Sequence, residues 1–133
     1  MPGTTFSAIA QEHALRPRNL GPLDDYDGHA RVTGPCGDTM EFWLAVDGEK
    51  VEHISFTTDG CGSSLACGSM AACLTQGRSL GRAGELSQEE ILRAFGGFPE
   101  ESEHCALLAS ITVKAAIRDY LLTGGRPARE AAG

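Results

Sequence analysis

Between Thr39 and Val46 the chain alternates strictly, with Met40, Phe42, Leu44 and Val46 on one side and Thr39, Glu41, Trp43 and Ala45 on the other. A period of two belongs to a half-buried β-strand and fits no helix. Asp47-Gly48 is a hairpin turn signal, and Val51 to Thr58, with Ile54 and Phe56 on one face, supplies the returning strand. His29 to Thr33 reads as a shorter strand before them, so residues 29–58 predict a three-stranded antiparallel meander. Three short strands do not bury an apolar face by themselves; another layer must cover it.

The cover follows Gly60, where the period changes. Cys67, Met70, Ala71 and Leu74 recur at i, i+3, i+4 and i+7, predicting an amphipathic helix from Ser63 to Gln76 stopped by Gly77. Ser87 and Glu90 form a capping box, with Leu86 and Ile91 as its hydrophobic staple, opening a short helix that Gly96-Gly97 closes. Ser102 can cap a last helix through Leu122, with Leu107, Leu108, Ile111, Ala115 and Leu122 facing inward. Before the strands, Thr5 to Leu15 can form a short helix that the Pro17 to Gly21 stretch ends. Strands first and helices after imply a segregated α+β fold: one domain over residues 1–133, helices on one face of the sheet, flexible ends at about 1–4 and 124–133.

Charge and cysteine usage narrow the chemistry. A formal net charge of -7 without a Lys/Arg cluster argues against nucleic-acid and anionic-membrane partners, and no apolar run has the length of a membrane span. The N-terminus lacks the pattern of a secretory signal, so a soluble cytoplasmic protein is expected. In that reducing compartment Cys36, Cys61, Cys67, Cys73 and Cys105 are candidates for metal or thiol chemistry, not for a disulfide framework, and their odd number leaves one unpaired in any case.

Three short segments concentrate metal-capable side chains, all at element boundaries: Gly34-Pro35-Cys36-Gly37-Asp38, Asp59-Gly60-Cys61-Gly62-Ser63 and Ser102-Glu103-His104-Cys105. In an antiparallel meander the first loop and the exit from the third strand share one end of the sheet, so Cys36, Asp38 and Cys61 can converge, with the last helix bringing His104 and Cys105. Three thiolates, an imidazole and a carboxylate offer enough ligands for Zn or an iron-sulfur cluster. At Cys105 the helix start lowers the thiol pKa while Glu100, Glu101 and Glu103 raise it, a conflict that a bound cation resolves. Cys67 and Cys73 fall among small helix residues and read as packing; His13, His29 and His53 read as structural or surface residues.

The segments GPCGD, DGCGSS and GGFPEESEHC resemble those of the IscU/NifU-type iron-sulfur cluster assembly scaffold family, and RPRNLG resembles its PRN-G element. The likeness spans residues 5–122, with the 43 residues between Cys61 and Cys105 matching the IscU/NifU spacing. What the resemblance implies is a scaffold, not a turnover enzyme, on which a transient 2Fe-2S cluster is built and then passed to apo-proteins. Carried over by position, Cys36, Asp38, Cys61, His104 and Cys105 would hold Fe(II) and the cluster, or Zn in the purified protein. Cys105 would also accept persulfide sulfur from a cysteine desulfurase, with an electron donor such as a ferredoxin reducing it. Where IscU proteins carry an LPPVK chaperone motif, this chain has the acidic Phe98-Pro99-Glu100-Glu101-Ser102-Glu103, which argues against handover by the dedicated chaperone. A monomer or weak homo-oligomer is expected. Two other readings use the same residues: a zinc-binding protein, and a thiol hydrolase or transferase with Cys61 as nucleophile, His104 as base and Asp38 as orienter.

Overall fold

The computed structural model describes residues 6–35 and 37–124. Its three strands, β1 (Gly28–Thr33), β2 (Thr39–Asp47) and β3 (Lys50–Thr58), form the expected antiparallel meander in the order β1-β2-β3. Phe42 lies opposite both Ala30 and Phe56, and the Phe42 and Phe56 rings stack with centroids 5.5 Å apart. Val51 and Ile54 are both buried although an odd spacing separates them. The register explains this: Ala45 pairs with His53 but Val46 with Val51, so Glu52 is an extra residue in β3, and the bulge restores Val51 to the inner face.

Both halves of the outer edge of β3 are covered. Asn19 to Gly21 runs beside it, with Phe56 N donating to Asn19 O at 3.0 Å and Gly21 N to Phe56 O at 2.8 Å. Asn19 takes φ 61°, and its side-chain amide donates to Ile54 O at 2.8 Å. Further along, Val51 exchanges backbone bonds with Gly77 and Arg78. The RPRNLG stretch therefore serves as an edge cover that satisfies exposed strand groups.

Five helices complete the described residues: α1 (Ala8–Leu15), α2 (Gly62–Thr75), α3 (Leu80–Ala83), α4 (Gln88–Phe95) and α5 (Glu103–Thr123), with a 3-10 turn at Glu100–Ser102 before α5. α5 lies over β1 and β2, and α2 over β3. Helix α2 approaches the sheet at Gly68, where a Cβ would stand 2.5 Å and 2.8 Å from ring carbons of Phe56. It is buried on more than a stripe, with Ser63, Ser64, Ala66, Cys67, Gly68, Ser69, Met70, Ala71, Ala72 and Thr75 all inside. Ser87 caps α4 by accepting from Glu90 N at 3.1 Å, and Gly96 closes it at φ 73°. The other arm of the capping box is diverted: the Glu90 carboxylate pairs with Arg78.

Three expectations are corrected. Leu107 and Ile111 are each 44% exposed and Leu122 78%, so of the leucine and isoleucine positions read as inward only Leu108 is buried. Packed against the sheet, α2 and α4, α5 uses its small residues Ala106, Ala109 and Ala116 for close approach, which turns His104, Leu107, Ile111, Lys114 and Arg118 outward. Cys73 is exposed, not core filler, whereas Cys67 is fully buried. Ser102 makes no side-chain cap; the 3-10 turn leads into α5 instead. Gly124 ends α5 at φ 73°, while residues 1–5 and 125–133, including most of the ends expected to be flexible, lie outside the described residues.

Candidate metal centre

The loop from β1 to β2 turns tightly, with Gly34 N donating to Asp38 O at 2.8 Å and Gly37 at φ 92°. It delivers Asp38 to the end of the sheet from which β3 leaves. There Asp59 accepts from Thr39 N at 2.7 Å, tying the exit of β3 to the start of β2. Gly60 then passes so close to its neighbours that a Cβ would stand 2.6 Å from Ser64 Cβ and 3.2 Å from Asp38 Cγ. A glycine is required by that approach.

The first turn of α5 supplies the rest. Ligand atoms of Asp38, His104 and Cys105 lie within 4.8 Å of one another. His104 Nε2 is 3.7 Å from Cys105 Sγ. The donors differ in softness: a carboxylate oxygen, a borderline imidazole nitrogen and a soft sulfur, a set that accepts Zn or Fe. Their spacing fits a metal held by three protein ligands.

Of the five site residues read from the sequence, the structure brings these three together. Cys61 is the N-cap of α2 and is exposed; it neighbours the cluster through Gly60 but is not part of it. Cys36 lies outside the described residues. Cys105 is only 2% exposed: the first turn of α5 is tucked against Ser64 of α2, whose hydroxyl is 3.6 Å from Cys105 Sγ. Ser64 ends the DGCGSS segment but was not among the site residues read from the sequence. The one signal for it is its place three residues after Cys61, in the first turn of α2.

Cys67 lies deeper on the same helix. Burial pushes its thiol well up, and the nearby Cys105 and Cys61 push it further in the same direction, so it stays protonated, as packing requires. His13 is buried, its Nδ1 2.6 Å from Ser69 Oγ, and His29 pairs with Glu41 at 2.5 Å; both are structural, while His53 is exposed. Beside the metal centre, Val32, Pro35, Leu107, Leu108 and Ile111 line a largely apolar cleft of about 180 Å³ that Asp38 and His104 border.

The sequence pattern of the NifU-like N terminal domain matches residues 5–126. The chain belongs to that family. The NifU-like chain is 34% identical over 122 residues to an iron-sulfur cluster assembly scaffold protein, IscU 1, of Archaeoglobus fulgidus, covering 91% of this chain and 80% of the relative. It is 38% identical over 118 residues to the IscU scaffold protein of Aquifex aeolicus, covering 86% and 75%. Two solved structures share the fold: a NifU-like protein (N-terminal) from Brucella abortus, TM-score 0.69 at 20% identity over 88% of this chain and 94% of that one, and a protein ascribed to the SUF system of Fervidobacterium islandicum, TM-score 0.71 at 17% identity over 84% and 96%. The Cys61 hydrolase reading is not favoured in this NifU-like setting, because His104 stands beside Cys105 and Asp38 accepts from Ser64. Among the described residues no helix is long and apolar enough to cross a membrane.

Proposed function

We propose that this protein is a scaffold on which a labile 2Fe-2S cluster is assembled from Fe(II) and desulfurase-derived sulfur and then passed to apo-proteins. The observation that carries the reading is the convergence of Asp38, His104 and Cys105 within 4.8 Å, in a chain of the NifU-like family. Cys61 at the adjoining helix start and Cys36, two positions before Asp38 in the sequence, complete the proposed ligand set. The protein acts as a carrier: Cys105 is charged and discharged twice for each 2Fe-2S cluster, once per sulfide, with no small-molecule turnover.

Sulfur arrives by thiol exchange. The Cys105 thiolate attacks the outer sulfur of a desulfurase persulfide, the S-S bond breaks, and the desulfurase thiolate leaves. Two electrons from a donor such as a ferredoxin then reduce the Cys105 persulfide to thiolate and sulfide. Because Cys105 is buried, this transfer requires the first turn of α5 to swing away from Ser64, and Gly96-Gly97 with the acidic 3-10 turn is the segment that can release it. The exposed Leu107 and Ile111 beside the cleft give the desulfurase an apolar foothold at the place where Cys105 must emerge.

Release follows from the ligand set. A carboxylate oxygen is a poor match for a soft cluster iron, so Asp38 is the ligand that exchanges first. Asp38→Ala leaves only thiolate and imidazole ligands and should slow cluster loss to an apo-ferredoxin several-fold.

The test is mass spectrometry of trapped persulfide after incubation with desulfurase and cysteine. The scaffold predicts an added sulfur on Cys105 that Cys105→Ser abolishes; a single hyper-reactive Cys61 with no added sulfur on Cys105 would overturn it.

A further inference from the structure

Ser64 is fully buried, and its hydroxyl touches two of the three clustered ligands, donating to Asp38 Oδ2 at 3.3 Å and lying 3.6 Å from Cys105 Sγ. These two ligands come from distant parts of the chain, one from the β1-β2 loop and one from α5, while Ser64 sits in the first turn of α2 between them. The backbone reserves the place: a Cβ on Gly60 would overlap the Ser64 hydroxyl, so the exit of β3 is shaped around it.

We propose that Ser64 is a positioning residue of the metal centre, holding the Asp38 carboxylate and the Cys105 sulfur toward one common point. The inference rests on the reading of Asp38, His104 and Cys105 as ligands. A hydroxyl is suited to the task because it has one donor and two acceptor sites. With its hydrogen on Asp38, its oxygen can accept from the Cys105 thiol; with both ligands ionised on a metal, its single hydrogen serves one of them at a time. Groups that orient ligands in this way commonly carry about 10 to 100-fold in metal affinity. Removing the hydroxyl leaves the Asp38 carboxylate without its link to α2, free to rotate away from Cys105.

The experiment is titration of the metal-free full chain with Co(II) alone, followed through its d-d and thiolate charge-transfer bands, for the wild type, Ser64→Ala, Asp38→Ala and the double variant. The expected result is a loss of affinity of about tenfold or more for Ser64→Ala and a much smaller further loss when it is added to Asp38→Ala, since part of its work is done through that carboxylate. Unchanged affinity in Ser64→Ala, or the same loss in both backgrounds, overturns the inference and leaves the ligand reading standing. No Co(II) binding by the wild type overturns both. Should Ser64→Ala fail to fold, Ser64→Thr against Ser64→Val makes the same comparison, two side chains of one shape that differ in the hydroxyl; equal affinities would again overturn it.

Discussion

Gly68 is the point where α2 rests on the sheet, and Gly68→Ala is the sharpest test of that packing. Helix propensity alone makes the substitution favourable, by about 1 kcal/mol. The structure reverses the sign. The new methyl would stand 2.5 Å and 2.8 Å from two ring carbons of Phe56, with a third closer still, against an ordinary carbon separation of about 3.5 Å or more. Phe56 cannot yield, because it is fully buried and stacked on the equally buried Phe42, so α2 must lift from β3 by roughly 1 Å. Overpacking of this kind costs about 3 kcal/mol at the upper end of its usual range, leaving a net loss of about 2 kcal/mol after the propensity gain. For a chain of this size that is a fall of about 8 °C in Tm and about 1 M in the urea midpoint. Urea unfolding followed by far-UV circular dichroism measures it, with Gly81→Ala as the control: that helical glycine faces open space, so its variant should be unchanged or slightly more stable. A Gly68→Ala protein as stable as the wild type would refute the packing argument.

Two pH-dependent predictions follow from paired groups. The Arg78 hydrogen bond to Glu90 holds that carboxyl below its ordinary 4.5, so the pair's contribution is present above that value and lost as pH falls through the lower folded one. Glu90→Gln should therefore cost about 1 kcal/mol near pH 7, the difference from the wild type shrinking as pH falls below 4.5 in urea titrations. Burial, with the nearby Arg18, lowers the His13 pKa from 6.5 against the opposing pull of Glu12, which favours the neutral ring in the folded state. Stability from this group is full above pH 6.5 and declines as pH falls, so the wild type's advantage over His13→Gln should shrink between pH 7 and pH 5 in the same assay.

Elements with a strong local period were legible in the sequence. The alternation through Met40, Phe42 and Leu44 fixed β2, and Ser87 with Gly96 bounded α4, because a strand face and a helix cap are decided by residues a few positions apart. Leu107 and Ile111 were misread for the opposite reason: apolar character says that a side chain prefers burial, not which side of α5 meets the sheet and α2. That choice was made by the small residues Ala106, Ala109 and Ala116, whose value lies in how close a partner helix comes. The same limit separates Cys67 from Cys73, alike in sequence setting yet one buried and one exposed. At the site, Asp38, His104 and Cys105 were readable as metal-capable residues at element ends. The burial of Cys105 and the part of Ser64 depend on how α2 and α5 meet, a long-range contact that the place of Ser64 three residues after Cys61 does not report.

The central claim, that this chain builds and releases an iron-sulfur cluster, is tested most directly by anaerobic incubation with Fe(II), cysteine, a desulfurase and a thiol reductant, followed by visible absorption and by transfer to an apo-ferredoxin. The account predicts thiolate-to-iron charge-transfer bands that appear on this protein, vanish in Cys105→Ser, and pass to the ferredoxin. A protein that stays colourless and holds one equivalent of zinc throughout would contradict it.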